Sequence, residues 1–249
     1  MKKIYFDIET IPADLQNEST RTALEYLYER KIIKKMKEKN YDRDAALQDL
    51  GSFEKFVEGT GFDGSFGRVL CIAYAINQDA PRVICHPENE KKTLEDFWFI
   101  AKQIDLFVGH NIMDFDLRFL LQRSIILGVQ PTWNRFQELG KKPWEMGKSR
   151  SFAGYSNLRI FETMYEWSNW GSGKVGLEHL ALALGIPTPK EGIDGSEVWS
   201  FYQAGKVQEI CDYCIRDVET TRAVYERMTF SAASAPSSDT DHEPMISYE

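Results

Sequence analysis

Apolar and polar residues alternate over Lys3 to Glu9. Ile4, Phe6 and Ile8 fall on one face of an extended chain and Tyr5, Asp7 and Glu9 on the other, a period of two that predicts a strand. From about residue 18 to 58 the chain is rich in Leu, Glu, Lys and Arg, the composition of two or three helices. A Gly-rich stretch, 59–67, returns the chain to strand patterns over 68–77 and 82–86. An amphipathic helix is predicted over 93–103, a short buried strand over 105–109, and a helix over 115–127 closed by Gly128 and Pro131. A long connection, 130–155, leads to a strand over 157–162 and a helix over 177–184 stopped by Gly185 and Pro187. Asp194-Gly-Ser-Glu197 has the form of a capping box opening a helix over 198–203. The last periodic segment, 207–228, predicts a helix of about six turns.

Three early strands followed by strands separated by helices predict an α/β fold. The expectation is a mixed five-stranded sheet with helices on both faces, carrying a helical insertion (about 18–58) between the first two strands. Residues 1–229 are expected to form one domain. Residues 230–249, rich in Ser, Ala, Pro and Asp, are expected to be a disordered acidic tail. No internal repeat is visible.

With 249 residues, 43% of them hydrophobic, the chain has material for a real core. It contains no apolar run of membrane-spanning length. Met-Lys-Lys leads directly into a strand pattern, without the apolar stretch of a signal peptide, so a cytoplasmic location is expected. The net charge is −8, the wrong sign for a protein that grips duplexes through a broad basic face. Half of it comes from Asp239, Asp241, Glu243 and Glu249 in the tail, which has no Lys or Arg. Of four cysteines, Cys71 and Cys85 lie in strand patterns, and Cys211 and Cys214 form a C-x-x-C inside the last helix. No second ligand pair for zinc accompanies them, so all four read as reduced thiols.

Carboxylates carry the candidate chemistry. Asp7 and Glu9 share one strand face, in apolar surroundings where a carboxylate is costly unless neutralised. Asp116 opens a helix, where the helix dipole favours its charge. Asp114 is a rival for that role and reads as a helix cap. Tyr213 and Asp217, four residues apart on the last helix, present to one partner, whereas Asp212 points to another helix face.

Together, Asp7-Ile-Glu9-Thr, Asn111-x-x-x-Phe115-Asp116 and Tyr213-x-x-x-Asp217 resemble the three motifs of the DEDDy 3′–5′ exonucleases. The chain is similar in particular to stand-alone exonucleases related to the proofreading domain of B-family DNA polymerases. Phe66-Gly-Arg-Val-Leu-Cys-Ile72, Phe107-Val-Gly-His-Asn111 and Ile210-Cys-Asp-Tyr-Cys-Ile-Arg-Asp217 extend the likeness, which spans most of residues 1–228; the helical insertion departs from it. The resemblance implies a ribonuclease H-like fold and hydrolysis with two divalent ions, Mg²⁺ or Mn²⁺. It places Asp7 between both ions, Glu9 and Asp217 on the ion beside the attacking water, and Asp116 on the other, largely through water. Tyr213, with an ordinary pKa near 10, would orient that water. Asn111 and Phe115 would hold the terminal nucleotides, and Thr10 and Ile11 the terminal base or sugar; strand-end and core packing explain the last two equally well.

The implied substrate is a single nucleic-acid strand with a free 3′ end, DNA before RNA; an exoribonuclease is the alternative. A non-catalytic nucleic-acid-binding protein of the same fold would be expected to lack one of the four acids, and none is missing. Two basic clusters could guide phosphates. Arg30 to Lys39 holds six cations and one acid, and reads equally as a solvated helix face or as a strand guide. Lys141, Lys142, Trp144, Lys148 and Arg150 interleave cations with an aromatic ring. Asp239-Thr-Asp241, which matches the catalytic triplet of B-family polymerases, lies in the low-complexity tail and reads as chance.

Overall fold

A computed structural model describes residues 1–131, 160–188 and 193–231. The second basic cluster, the start of the 157–162 strand and the tail lie outside the described residues. The alternation of the first segment becomes β1 (Lys3–Ile11), which pairs antiparallel with β2 (Arg68–Ile76) and parallel with β4 (Leu106–Gly109). β3 (Arg82–Cys85) extends the sheet antiparallel beside β2, and β5 (Ile160–Glu162) extends it parallel beside β4. The order is β3-β2-β1-β4-β5, the mixed five-stranded sheet that the pattern predicts.

The two faces of β1 build two cores. Ile4, Phe6 and Ile8 pack under α4 (Glu90–Ala101) and α5 (Asp116–Leu127), with Phe6 and Phe97 ring centroids 5.4 Å apart. A fully buried phenylalanine of this kind is worth about 3–5 kcal/mol against truncation to Ala. Tyr5 faces the other way, toward α8 (Val198–Gln203) and α9 (Val207–Met228), and meets the edge of Tyr225 at 5.5 Å. α6 (Thr163–Trp167) follows β5 directly, and α7 (Leu177–Ala183) packs on the far end of α9 through Leu180, Ala181 and Val224. Among the described residues no helix is long and apolar enough to cross a membrane.

The predicted insertion is three helices: α1 (Glu18–Lys39), α2 (Arg43–Leu50) and α3 (Phe53–Glu58). Each starts where a side chain can accept a free first-turn amide: Asn17 from Thr20, Asp42 from Ala45, Ser52 from Lys55. Ala13, Leu24 and Val57 form its small core. A 3-10 turn (Gly59–Phe62) then docks on the end of β1, where the Thr10 hydroxyl donates to the Gly61 carbonyl at 2.6 Å and the Ala13 amide to Thr60 Oγ1 at 2.9 Å. Gly67 permits this closeness, because a Cβ there would stand 2.3 Å from the Thr60 carbonyl oxygen.

Two boundaries moved for identifiable reasons. α4 begins three residues before the predicted 93, because Asn89 accepts the Lys92 amide and caps it earlier. Asp114 does not cap α5: the helix starts at Asp116 with Phe115 before it, without a side-chain cap. Asp114 instead receives the Tyr165 hydroxyl and the Lys174 ammonium.

Candidate active site

β1 carries Asp7 and Glu9 on the face that α9 covers, as the alternation requires. A register shift between Glu9 and Thr10 marks a bulge, after which pairing resumes at Thr10 with Val69; such bulges re-aim side chains near strand ends. α9 crosses this face and brings Tyr213 and Asp217, on one helical side, toward the two strand acids. α5 brings the fourth acid. Asp116 is 2% exposed, and its Oδ1 accepts the Ile8 amide at 3.1 Å, which fastens the helix start to the centre of β1. The structure thus brings Asp7, Glu9, Asp116, Tyr213 and Asp217 together from three elements far apart in sequence.

The charges in this cluster oppose one another. Burial pushes the Asp7 carboxyl well above its usual range, and Asp116, Glu9 and Asp217 push it further. Glu9 is raised by burial, then by Asp217 and Asp116. Burial lifts Asp116 to about 8, while its own amide and that of Ile8 hold it back. Asp217 is raised by burial and drawn back by the Tyr213 hydroxyl and the Arg216 guanidinium. Burial and the neighbouring acids raise the Tyr213 phenol far above its ordinary value, so it stays protonated. Hard carboxylate oxygens gathered in this way fit a small divalent cation such as Mg²⁺ or Mn²⁺. Burial without such a partner leaves the acids to protonate instead.

The turn after β4 supplies the remaining candidates. Asn111 has a left-handed backbone, φ 64°, and its amide donates to Glu162 Oε1 at 2.6 Å. Phe115 is half-buried, with ring centroids 5.6 Å from Phe119 and 6.5 Å from Phe62. Thr10 is half-buried and committed to the 3-10 turn. Ile11 is 1% exposed and lies beside α8 and α9 in the core against which Tyr213 also packs.

Sequence reasoning missed the parts that four residues play in shaping this site. Glu162, 1% exposed at the end of β5, accepts the amides of Asn111 and Met113 and so holds the turn. Burial raises its carboxyl to about 7 against these amide donors. His110 bridges Thr163 Oγ1 and the Val175 carbonyl, each at 2.9 Å, and burial lowers its pKa, so it is neutral. Gly109 lets the turn fold back, since a Cβ there would come within 2.0 Å of Ile112 Cγ2. The fourth residue is Cys214, whose thiol donates to the Asp7 carbonyl and to Asp7 Oδ2, both at 3.4 Å. One donor atom each from Asp7, Glu9 and Cys214 lies within 4.8 Å of the others. The C-x-x-C spacing offered a signal for Cys214; nothing local marked Glu162.

Residues 65–244 match the model of a family described as predicted 3′–5′ exonucleases related to the exonuclease domain of PolB. The chain belongs to this family. Nucleic acid is the substrate such an activity takes. The matched span contains Asn111, Phe115, Asp116, Tyr213 and Asp217; Asp7 and Glu9 precede it, and β1 carries them into the same cluster. No curated protein matches the chain. Among solved structures it is similar to the family B DNA polymerase from the hyperthermophilic archaeon Pyrobaculum calidifontis, with a TM-score of 0.56 and 18% identity. That match covers 92% of this chain and 24% of the polymerase chain. At this identity it shows the fold, a mixed five-stranded α/β sheet of the ribonuclease H-like kind found in family B polymerase exonuclease domains.

Proposed function

We propose that the chain is a divalent-metal-dependent 3′–5′ exonuclease that shortens single-stranded DNA and releases nucleoside 5′-monophosphates. The observation that carries this reading is the cluster of Asp7, Glu9, Asp116 and Asp217, with Glu9 and Asp116 buried and Asp7 and Asp217 half-buried; desolvation raises each carboxyl, and the other acids add to the effect at Asp7, Glu9 and Asp116. Bound among these acids, two divalent ions would offset their charge, acidify the attacking water and stabilise the leaving 3′ oxygen. Asp7 is the acid best placed to serve both ions, with Glu9 and Asp217 on one and Asp116 on the other.

The chain's own residues then position the reacting groups. Tyr213, one helical turn from Asp217 and coupled to it electrostatically, remains a donor and orients water beside Glu9. It cannot act as the base. The Cys214 thiol, itself pushed far up by burial, stays a neutral donor that holds the Asp7 carboxylate in place. Glu162 fixes the turn from which Asn111 and Phe115 hold the terminal nucleotides, and Thr10 and Ile11 shape the strand end beneath them.

The test is a time course on 5′-labelled single-stranded DNA and RNA oligonucleotides with Mg²⁺ or Mn²⁺, beside an Asp7→Ala variant. The expected result is a ladder of DNA products that shorten from the 3′ end and are absent in the variant. Internal cuts alone, or equal activity in the variant, would overturn the reading; faster loss of RNA would transfer it to an exoribonuclease.

A further inference from the structure

Between α1, α3 and the 3-10 turn lies a groove of about 1280 Å³. Its lining includes five cations (Arg30, Lys31, Lys34, Lys37 and Lys55) and two acids, Glu38 and Asp63, against a chain whose net charge is −8. The basic run of α1 divides into two jobs. Lys35 and Lys39 face away from the groove and hold Asp49 of α2 at 2.6 and 3.1 Å. Arg30, Lys31, Lys37 and Lys55 form no ion pair among the described residues, and Lys34 has only the exposed Glu38 at 3.6 Å. The apolar side chains are equally unusual. Only Leu24 and Ile32 of this 22-residue helix are buried, while Tyr26 is 60% exposed at the groove wall. Cations beside exposed aromatic rings are what a single nucleic-acid strand needs, phosphates meeting charge and unpaired bases meeting rings.

The groove is also joined to the carboxylate cluster through one turn. Thr60 lines it, and the same 3-10 turn holds Thr10 and Ala13 at the end of β1. Phe62, 67% exposed, leans toward Phe115, the neighbour of Asp116. We infer that this groove binds the part of a single nucleic-acid strand that lies 5′ of the nucleotide at the carboxylate cluster. The polarity rests on the exonuclease reading; the binding does not. A duplex would offer the rings no unpaired base, and an acidic protein would leave the connection to the cluster without purpose.

The test measures binding without hydrolysis. Fluorescence anisotropy in EDTA follows labelled 20-nucleotide DNA and RNA strands, a trinucleotide and a duplex on the full chain. The variants are R30Q/K34Q/K37Q, Y26A and a control, R82Q/K91Q/K102Q, which removes equal charge from exposed positions elsewhere. The wild-type chain should bind the 20-mer more tightly than the trinucleotide. The groove variant should lose at least tenfold in 20-mer affinity and most of that length advantage. Its plot of log affinity against log salt should flatten by about 2, or about 0.7 for each phosphate contact removed. Y26A should weaken 20-mer binding by about fivefold or more, and the control should match wild type. Equal losses in control and groove variant, an unchanged salt slope, or preference for the duplex would overturn the proposal. Strand binding that depends on the groove, in a protein that cuts no strand with Mg²⁺ or Mn²⁺, would leave the groove standing and sink the catalytic reading instead.

Discussion

Replacing Asp116 with Asn should stabilise the metal-free protein while abolishing its response to divalent ions. The carboxyl is held at about 8 against an ordinary 3.8, so at pH 7 folding must bind a proton that the unfolded chain releases. Each unit of displacement is worth about 1.4 kcal/mol, and about three units separate the ordinary value from pH 7, an upper bound of about 4 kcal/mol. The four acids share their protons, which reduces the expected gain to about 2 kcal/mol, or about 4–8 °C in melting temperature at this chain length. Asn keeps an oxygen for the Ile8 amide, so the contact that fixes α5 survives. The sign follows from the raised pKa. Between pH 4 and 8 the folded state holds more protons, so metal-free stability is greatest at the acid end and declines as pH rises. Thermal and urea unfolding in EDTA at pH 5, 6, 7 and 8 measure this directly, and the variant should show a flatter decline. With Mg²⁺ at a hundred times its dissociation constant, wild type should gain about 2.7 kcal/mol and the variant much less. A variant that melts below wild type in EDTA at pH 7, with an undiminished pH slope, would refute the reasoning.

Tyr213→Phe should retain wild-type stability and lower kcat roughly ten- to a hundredfold, at or below the foot of the roughly 10²–10⁴ range of a group that itself transfers the proton; an unchanged kcat would remove the phenol from the reaction. Arg123→Ala strands Glu90, its bidentate partner at 2.8 Å under α4 and α5, and should cost about 3–5 kcal/mol in urea unfolding. Glu90→Gln/Arg123→Met should recover much of that loss. Cys71, Cys211 and Cys214 are buried; burial raises the Cys214 thiol, and contacts among the cysteine thiols, then burial, give Cys71 and Cys211 a net rise, so native protein at pH 8 should resist iodoacetamide at these positions. Mass spectrometry should find all four cysteines alkylated only after denaturation, and rapid native labelling of Cys214 would contradict the contact with Asp7.

Features written in local periodicity were legible in the sequence. Alternation over Lys3–Glu9 put Asp7 and Glu9 on one face, and i, i+4 spacing put Tyr213 and Asp217 on one helix side; the sheet and α9 then needed only to meet. The insertion was readable as helices from its Leu, Glu, Lys and Arg content, whereas the caps Asn17, Asp42 and Ser52 that divide it into three emerge only in the structure. What escaped reading depends on contacts across the chain. Glu162 ends a three-residue strand and acts only when the 110–113 turn folds onto it, 49 to 51 residues away. The cysteines illustrate the same limit. Cys71 and Cys85 are register partners on adjacent strands, and Cys211 and Cys214 close over them from α9, a convergence that no spacing announces. Asp114 misled because an acid just before a helix resembles a cap, yet Tyr165 and Lys174 claim its oxygens. Arg30 to Lys39 admitted two readings; in the structure Lys35 and Lys39 pair with Asp49, while Arg30, Lys31, Lys34 and Lys37 line the groove.

The central claim is that these four acids together hold the divalent ions used for cutting. Mn²⁺ binding counted per chain by electron paramagnetic resonance, followed beside hydrolysis of a labelled single strand, tests it most directly. The account predicts two tightly bound ions in the wild-type chain, activity that rises as the sites fill, and loss of both binding and hydrolysis in Asp7→Ala. Wild-type and Asp7→Ala chains that bind Mn²⁺ equally, or hydrolysis that persists without bound ions, would contradict it.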